Sequence, residues 1–353
     1  MNLTTNSTKQ ATNQTAKQSA KPAAKHSAIL LADIGGTNAR FALKFAKQDE
    51  LSHIHSFPVS AYDTAYAAIQ AYLDQVQGQN TQALKISSAA FAVAAPIHNQ
   101  CAKLTNGTWV VNAEELRQTL QLNDCVLLND FEALALSLPH LSADQVRSSF
   151  SAITHTQTQA HTGTLLVLGP GTGMGVAALH ACAGKWYPIA GEGGHVNLAA
   201  SDAYESELLK IALRHRSFIC AEDFLSGTGL PFLYQCICEL ENNPALVLSC
   251  AEIIQLGLQR EHALCEKSLD VFCAMLGSFA GDLALIYGAR SGVYIGGGIV
   301  PRLGEYFFNS RFREQFQNKG NFSAYLETIP SYVIQDGMAA LYGCAYALEQ
   351  NRS

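Results

Sequence analysis

The sequence predicts an α/β protein built from two related halves, and three observations carry that reading. Apolar strand-like runs alternate with segments of helical period along nearly the whole chain. Two strand–turn–strand stretches, "LLADIGGTNARFAL" and "LLVLGPGTGMGVAAL", resemble each other. Gly36–Thr37 falls on Gly171–Thr172 and Phe41–Ala42 on Val176–Ala177, an offset of 135 residues (171 minus 36). A repeat at that distance points to a duplicated domain rather than a solenoid, although identity alone does not separate it from a chance likeness of glycine hairpins. Finally, 353 residues, 48% of them apolar, suffice for a large core and favour two domains over one.

Taken in order, residues 1–27 hold almost nothing to bury and read as a disordered tail. They carry four lysines and no acids, but the lack of arginine and of an amphipathic pattern argues against a targeting peptide. Order is expected from Ile29. There "AILLADIGG" and "ARFALKFA" form a hairpin closed by a glycine turn. "ISSAAFAVAAPI", Ile86 to Ile97, is small and apolar, as a buried central strand is. "CVLLND", Cys125 to Asp130, is a further strand, and "FEALALSLP" a helix stopped by Pro139. The second hairpin spans Thr162 to Leu179. Beyond it, "SELLKIALRHR", "ALCEKSLDVFCAMLGSFAGDLALIY" and "GMAALYGCAYALEQ" have helical period, and "GVYIGGGIVPR" is a strand running into a glycine turn.

Composition excludes several function classes. With 23 basic and 29 acidic residues the net charge is −6, and no stretch concentrates Lys and Arg, which argues against a nucleic-acid partner. Ten cysteines are scattered with no C-x-x-C and no zinc spacing, the pattern of free thiols in a reducing cytoplasm. The longest uncharged stretch, Thr162 to Gly184, is broken by six glycines and Pro170, so no membrane span is expected there.

The glycine turns pose the chemical question. A Gly-Gly-Thr turn exposes backbone N–H groups that suit an anion. Yet no G-x-x-x-x-G-K-[ST] is present, and neither Gly169–Gly175 nor Gly296–Gly298 matches G-x-G-x-x-G. If the ligand is a nucleotide, Mg²⁺ must neutralise it in place of lysine, and Asp33 offers a hard oxygen directly or through water. Taken alone, Asp33 reads as a turn cap. Asn129 and Asp130 stand where a strand runs out, a usual ligand position, but also cap the next helix. Glu192 and His195 sit among three glycines in "AGEGGHVN", where a plain turn needs neither an acid nor an imidazole. Glu222, ahead of "SGTGL", is by itself an ordinary helix-start acid.

"DIGGTNARFAL", "LLNDFEALA", "GPGTGMGVA", "GEGGHVN", "LSGTGL" and "IGGGIVPR", in this order, resemble the bacterial-type glucokinase family of hexokinase-like enzymes. The likeness covers the chain from about Ile29 to the C-terminal helix. It implies two actin-like ATPase (ribonuclease H-like) domains with a cleft between them. Residues 28–140 plus 333–353 would form the small domain and 141–332 the large one. Carried over by motif, Asp33, Ile34, Gly35, Gly36, Thr37 and Asn38 look like the first phosphate loop, with Asp33 near Mg²⁺ through water. Gly169, Gly171, Thr172 and Gly173 look like the second loop, and Gly296, Gly297 and Gly298 like part of the adenosine pocket. Asn129, Asp130, Glu192, His195 and Glu222 look like sugar ligands, with Asp130 the base at the 6-hydroxyl. The implied substrates are glucose and ATP, in the cytoplasm, with a homodimer compatible.

Three departures stand out. The tail is extra, Pro170 stiffens the second loop, and the cysteine-rich zinc motif of repressor-type sugar kinases is missing. Phosphoryl transfer asks for alignment and charge neutralisation. Asp130, ionised near neutral pH unless buried, takes the proton late. Two other readings stay open: a kinase for another hexose, and an actin-like or chaperone-like ATPase without sugar substrate. Neither a filament nor a chaperone needs the polar cluster. A sugar-sensing DNA-binding regulator would need a helix-turn-helix that residues 1–27 are too short and polar to supply.

Overall fold

Two mixed sheets organise the residues that the computed structural model describes, which are 26–46, 48–79, 84–104, 107–148 and 163–352. The first sheet begins with β1 (His26–Ile34), β2 (Asn38–Phe45), β3 (Ser52–Pro58) and β4 (Leu84–Val93). A small antiparallel excursion follows, made of β5 (Ile97–His98), β6 (Cys101–Lys103) and β7 (Val110–Asn112), before β8 (Asp124–Asn129) completes the first sheet. The second sheet holds β9 (Val146–Arg147), β10 (Thr164–Pro170), β11 (Met174–Cys182), β12 (Lys185–Gly191), β13 (Gly292–Ile295) and β14 (Ser331–Ile334).

The strand orders are β3-β2-β1-β4-β8 and β12-β11-β10-β13-β14-β9. In both, the central strand pairs antiparallel with its successor and parallel with the strand on its other side. The outer pairs match as well, antiparallel on the hairpin side and parallel on the other. Five strands therefore repeat in order and direction. The turns, however, differ by one residue. Asp33 faces Arg40 in the first hairpin and Gly169 faces Gly175 in the second. The offset is 136 before the turn (169 minus 33) and 135 after it (175 minus 40), so the ungapped superposition holds only for the outgoing strand.

Burial follows the strand period. Leu30, Ala32 and Ile34 of β1 enter one apolar cluster, while Leu31 enters another on the opposite face. Likewise Leu166 and Leu168 of β10 enter the cluster of the second sheet, and Leu165 and Val167 point the other way. The shared cluster combines Leu31, Ala90 and Leu128 of the first sheet with Leu165, Val167 and Ala177 of the second. Central strands buried on both faces have no polar side, which is why they read as continuous apolar runs. Two helices, Asp130–Ser137 and Ala339–Arg352, fill that shared layer. Their backbones touch: Gly343 lies against the Ala133 carbonyl with no room for a Cβ.

Several boundaries move. β1 begins at His26, so residues 26 and 27 belong to a strand, and the rest of the expected tail lies outside the described residues. The C-terminal helix opens at Ala339 rather than Gly337. β14 runs to Ile334, so a division at 333 falls inside a strand. Among the described residues one helix, Ala263–Tyr287, is long and apolar enough to cross a membrane, and 78% of its most apolar window is buried inside the protein. It packs as a core helix, lined by Phe272, Met275, Leu276 and Phe279.

Candidate active site

The first residues of β11 are the hub of the site. The Met174 N–H donates to Glu222 Oε2 at 2.8 Å. That carboxylate lies across Gly173, where a Cβ would stand 2.5 Å from Oε2. The Phe131 ring rests on Gly175 so closely that a Cβ would overlap it. Gly194 packs on the Met174 carbonyl, again without space for a side chain. Three segments far apart in sequence, around residues 130, 194 and 222, therefore close on one strand end.

Asn129 and Asp130 divide the tasks that the sequence left combined. Asn129 is the N-cap of helix Asp130–Ser137: its Oδ1 accepts from the Phe131 N–H at 3.0 Å, and Glu132 Oε2 accepts from the Asn129 N–H at 3.3 Å. Asp130 Oδ1 also lies 3.0 Å from the Phe131 nitrogen, but the cap is complete without it. Burial, then the charge of Asp33 and more weakly that of Glu192, push the Asp130 carboxyl up from 3.8 to about 7, against the backbone N–H groups that favour its charge. Asp33 and Glu192 are thus both close enough to act on the Asp130 carboxyl. Burial raises Asp33 too, opposed by Arg40, whose Nη1 is 3.8 Å from Asp33 Oδ2 and donates to the Gly337 carbonyl at 2.6 Å.

Glu192 and His195 are the exposed ends of a turn whose middle residue, Gly194, is buried, and in it the His195 N–H donates to the Glu192 carbonyl at 3.0 Å. His195 Nδ1 is 4.0 Å from Cys220 Sγ. Next to it, Asn197 bridges Cys220, and the Ala221 N–H donates to the Val196 carbonyl at 3.0 Å. The His195 turn and the Glu222 turn are one hydrogen-bonded unit.

The glycine turns are built for access rather than for left-handed backbone, because none of Gly35, Gly36, Gly171 and Gly173 has positive φ. Gly35 N–H closes on the Asn38 carbonyl at 2.9 Å and Gly171 N–H on the Gly173 carbonyl at 2.8 Å. Gly36 faces open space, and Thr37 and Thr172 are exposed. Ile34 is fully buried and its carbonyl accepts from the Ala94 N–H, so it supports the turn from below. Of the three later glycines, only Gly298 faces open space. Gly296 N–H donates to the Leu168 carbonyl at 2.8 Å, and Gly297, at φ 76°, lies on the Pro170 carbonyl. These two brace the second turn. Pro170 costs nothing there, because it ends β10 opposite Met174 and only its carbonyl is used, by the Ile299 N–H at 3.2 Å.

Four residues with a place in the site escape a reading of sequence: Phe131, Glu132, Arg40 and Gly227. Gly227 N–H donates to the Gly171 carbonyl at 2.8 Å, so the "SGTG" stretch clamps the second turn. Glu132 was signalled by its spacing from Asn129, the offset of a capping box. Phe131 on Gly175, Arg40 on the Gly337 carbonyl and Gly227 on the Gly171 carbonyl join residues distant in sequence and carry no local pattern.

No group of three or more His, Cys, Asp or Glu side chains that could hold a metal exists among the described residues. Asp33 alone, with 28% of its side chain exposed beside the open Gly36 turn, fits a Mg²⁺ whose other ligands are water and phosphate.

A family model described as Glucokinase matches residues 30–351. The chain is 41% identical over 323 residues to the glucokinase of Neisseria meningitidis, spanning 91% of this chain and 95% of that protein. Among solved structures, it resembles a glucokinase from an Antarctic psychrotroph with a TM-score of 0.81 and 34% identity, covering 92% of this chain and 99% of that one. It shares the fold of the Balamuthia mandrillaris glucokinase solved in complex with glucose, with a TM-score of 0.77 and 22% identity over 92% and 94% of the two chains.

Proposed function

The chain belongs to the glucokinase family, and from that premise we propose how its residues carry out ATP-dependent phosphorylation of glucose to glucose 6-phosphate. Asp130 is the general base at the 6-hydroxyl. The single observation that carries this role is its environment: a strand-end carboxyl that the helix cap does not require and that burial and Asp33 push up to about 7. A base poised near the working pH gives the best compromise between being ionised and being able to hold a proton.

Asn129, Glu192, His195 and Glu222 take the other sugar hydroxyls as acceptors and donors. The turns Gly35–Asn38 and Gly169–Gly173 meet the phosphates with backbone N–H groups, and Gly298 borders the nucleoside. Asp33 is the residue that would hold a Mg²⁺ ion, which would supply charge neutralisation on the phosphates. The two strand repeats are two domains, the first including the C-terminal helix and the second running through Ile334. Closure of the cleft between them keeps water away from the phosphoryl group. A cytoplasmic enzyme, without nucleic acid or membrane as partner, completes the reading.

The experiment is an ADP-release assay with glucose, mannose, fructose, N-acetylglucosamine and no sugar. Glucose is expected to give the largest acceleration. A larger one with another hexose would keep the kinase and replace the substrate, and no response to any sugar would overturn the assignment.

A further inference from the structure

The second glycine turn is shaped by the segment that carries Glu222. Gly227 N–H holds the Gly171 carbonyl at 2.8 Å from one side. From the other, Glu222 Oε2 holds the Met174 N–H at 2.8 Å and covers Gly173. The carboxylate is itself anchored. Its turn, Ala221–Asp223, is tied by the Cys220 N–H to Asp223 Oδ2 at 2.8 Å, and the Glu222 carbonyl lies 2.5 Å from where a Gly229 Cβ would stand, which leaves room only for glycine. The same turn pairs with the segment of His195 through Asn197 and Cys220. A carboxylate has two oxygens, and only Oε2 is committed to the turn. Oε1 stands 3.8 Å from the position of a Gly173 Cβ.

We propose that Glu222 is a positioning residue for the nucleotide as well as a sugar ligand. One oxygen fixes the Gly171–Gly173 turn through the Met174 N–H, and the other is left for a sugar hydroxyl. This rests on the sugar-site reading of Glu222 and extends it. A sugar on Oε1 restrains the carboxylate, the carboxylate restrains the turn, and the turn meets the phosphates already ordered. Sugar and nucleotide then tighten each other's binding by the same factor, as linkage requires.

The test separates the two functions of the side chain by measuring Mg²⁺–AMPPNP and glucose binding calorimetrically on the full chain. Glu222→Ala removes the acceptor for Met174, so AMPPNP should bind roughly tenfold more weakly even with no sugar present. Glu222→Gln keeps an amide oxygen for the Met174 N–H. Its sugar-free AMPPNP affinity should stay near wild type, while glucose binding weakens and the mutual tightening shrinks. A melting curve on each variant excludes simple unfolding, and the Gln variant carries the test if the Ala variant does not fold. Wild-type AMPPNP affinity in sugar-free Glu222→Ala would overturn the positioning role. Unchanged glucose affinity in both variants, with weakened AMPPNP, would overturn the sugar half and keep the role toward the nucleotide.

Discussion

Replacing Asp130 by asparagine separates chemistry from architecture. Asparagine keeps the size and can still accept from the Phe131 N–H, and the helix cap belongs to Asn129 and Glu132. What it loses is the ability to take a proton. Turnover should fall by roughly 10²–10⁴-fold, the usual worth of a positioned general base, with glucose binding largely kept. The wild-type rate has its own signature. With the carboxyl pushed up to about 7, the base is protonated below that pH, so kcat/KM should drop about tenfold per unit on the acid side and level off above it. That limb should vanish in Asp130→Asn. Stability should move the other way. A carboxyl whose pKa is raised on folding favours the folded state least once it is ionised, so its cost is complete above about pH 7 and absent below 3.8. At about 1.4 kcal/mol per pH unit the ceiling is about 4 kcal/mol, and screening by cleft water leaves roughly half. The variant should therefore melt a few degrees higher at pH 8 and no higher at pH 3.5. Steady-state kinetics across pH, glucose titration and thermal melts test all three. Near-normal turnover would remove Asp130 from the mechanism, and a lower melting temperature at pH 8 would refute the electrostatic account.

Other contacts make separate predictions. Gly175→Ala places a methyl in the Phe131 ring and should cost roughly 1–3 kcal/mol, read as a lower melting temperature with reduced turnover, because Phe131 adjoins Asp130. An unchanged melting temperature would show that the ring yields freely. Glu192→Gln and His195→Ala should raise KM for glucose far more than KM for ATP, each lost hydrogen bond being worth roughly 1–3 kcal/mol. Equal effects on both substrates would move these residues out of the sugar site.

Local patterns made much of the fold legible. The two hairpins show in the sequence because each is an apolar run, a glycine turn and another apolar run, and such signals span only a dozen residues. The long helix Ala263–Tyr287 shows for the same reason. Helix Ala65–Gln79 buries Ala65, Ala68, Ile69, Tyr72 and Val76 at helical spacing, but small alanines make up much of its sequence and no acid marks its first turn, so it escapes notice. In the site, the motif residues could be named from sequence, but not what holds them. Phe131 on Gly175 and Glu222 on Met174 are contacts between segments 44 and 48 residues apart (175 minus 131 and 222 minus 174). Packing chooses such partners, and periodicity does not record them. The raised pKa of Asp130 is hidden for the same reason, since burial and the nearness of Asp33 arise only in the folded chain.

The proposed reaction transfers the phosphoryl group to a sugar 6-hydroxyl activated by Asp130. The most direct measurement is ADP formation with glucose, with 6-deoxyglucose and with neither. Glucose should accelerate ADP formation strongly and yield glucose 6-phosphate. The deoxy sugar should bind, compete with glucose and give no phosphorylated product. Phosphorylation of 6-deoxyglucose, or ATP turnover indifferent to all three conditions, would contradict the account.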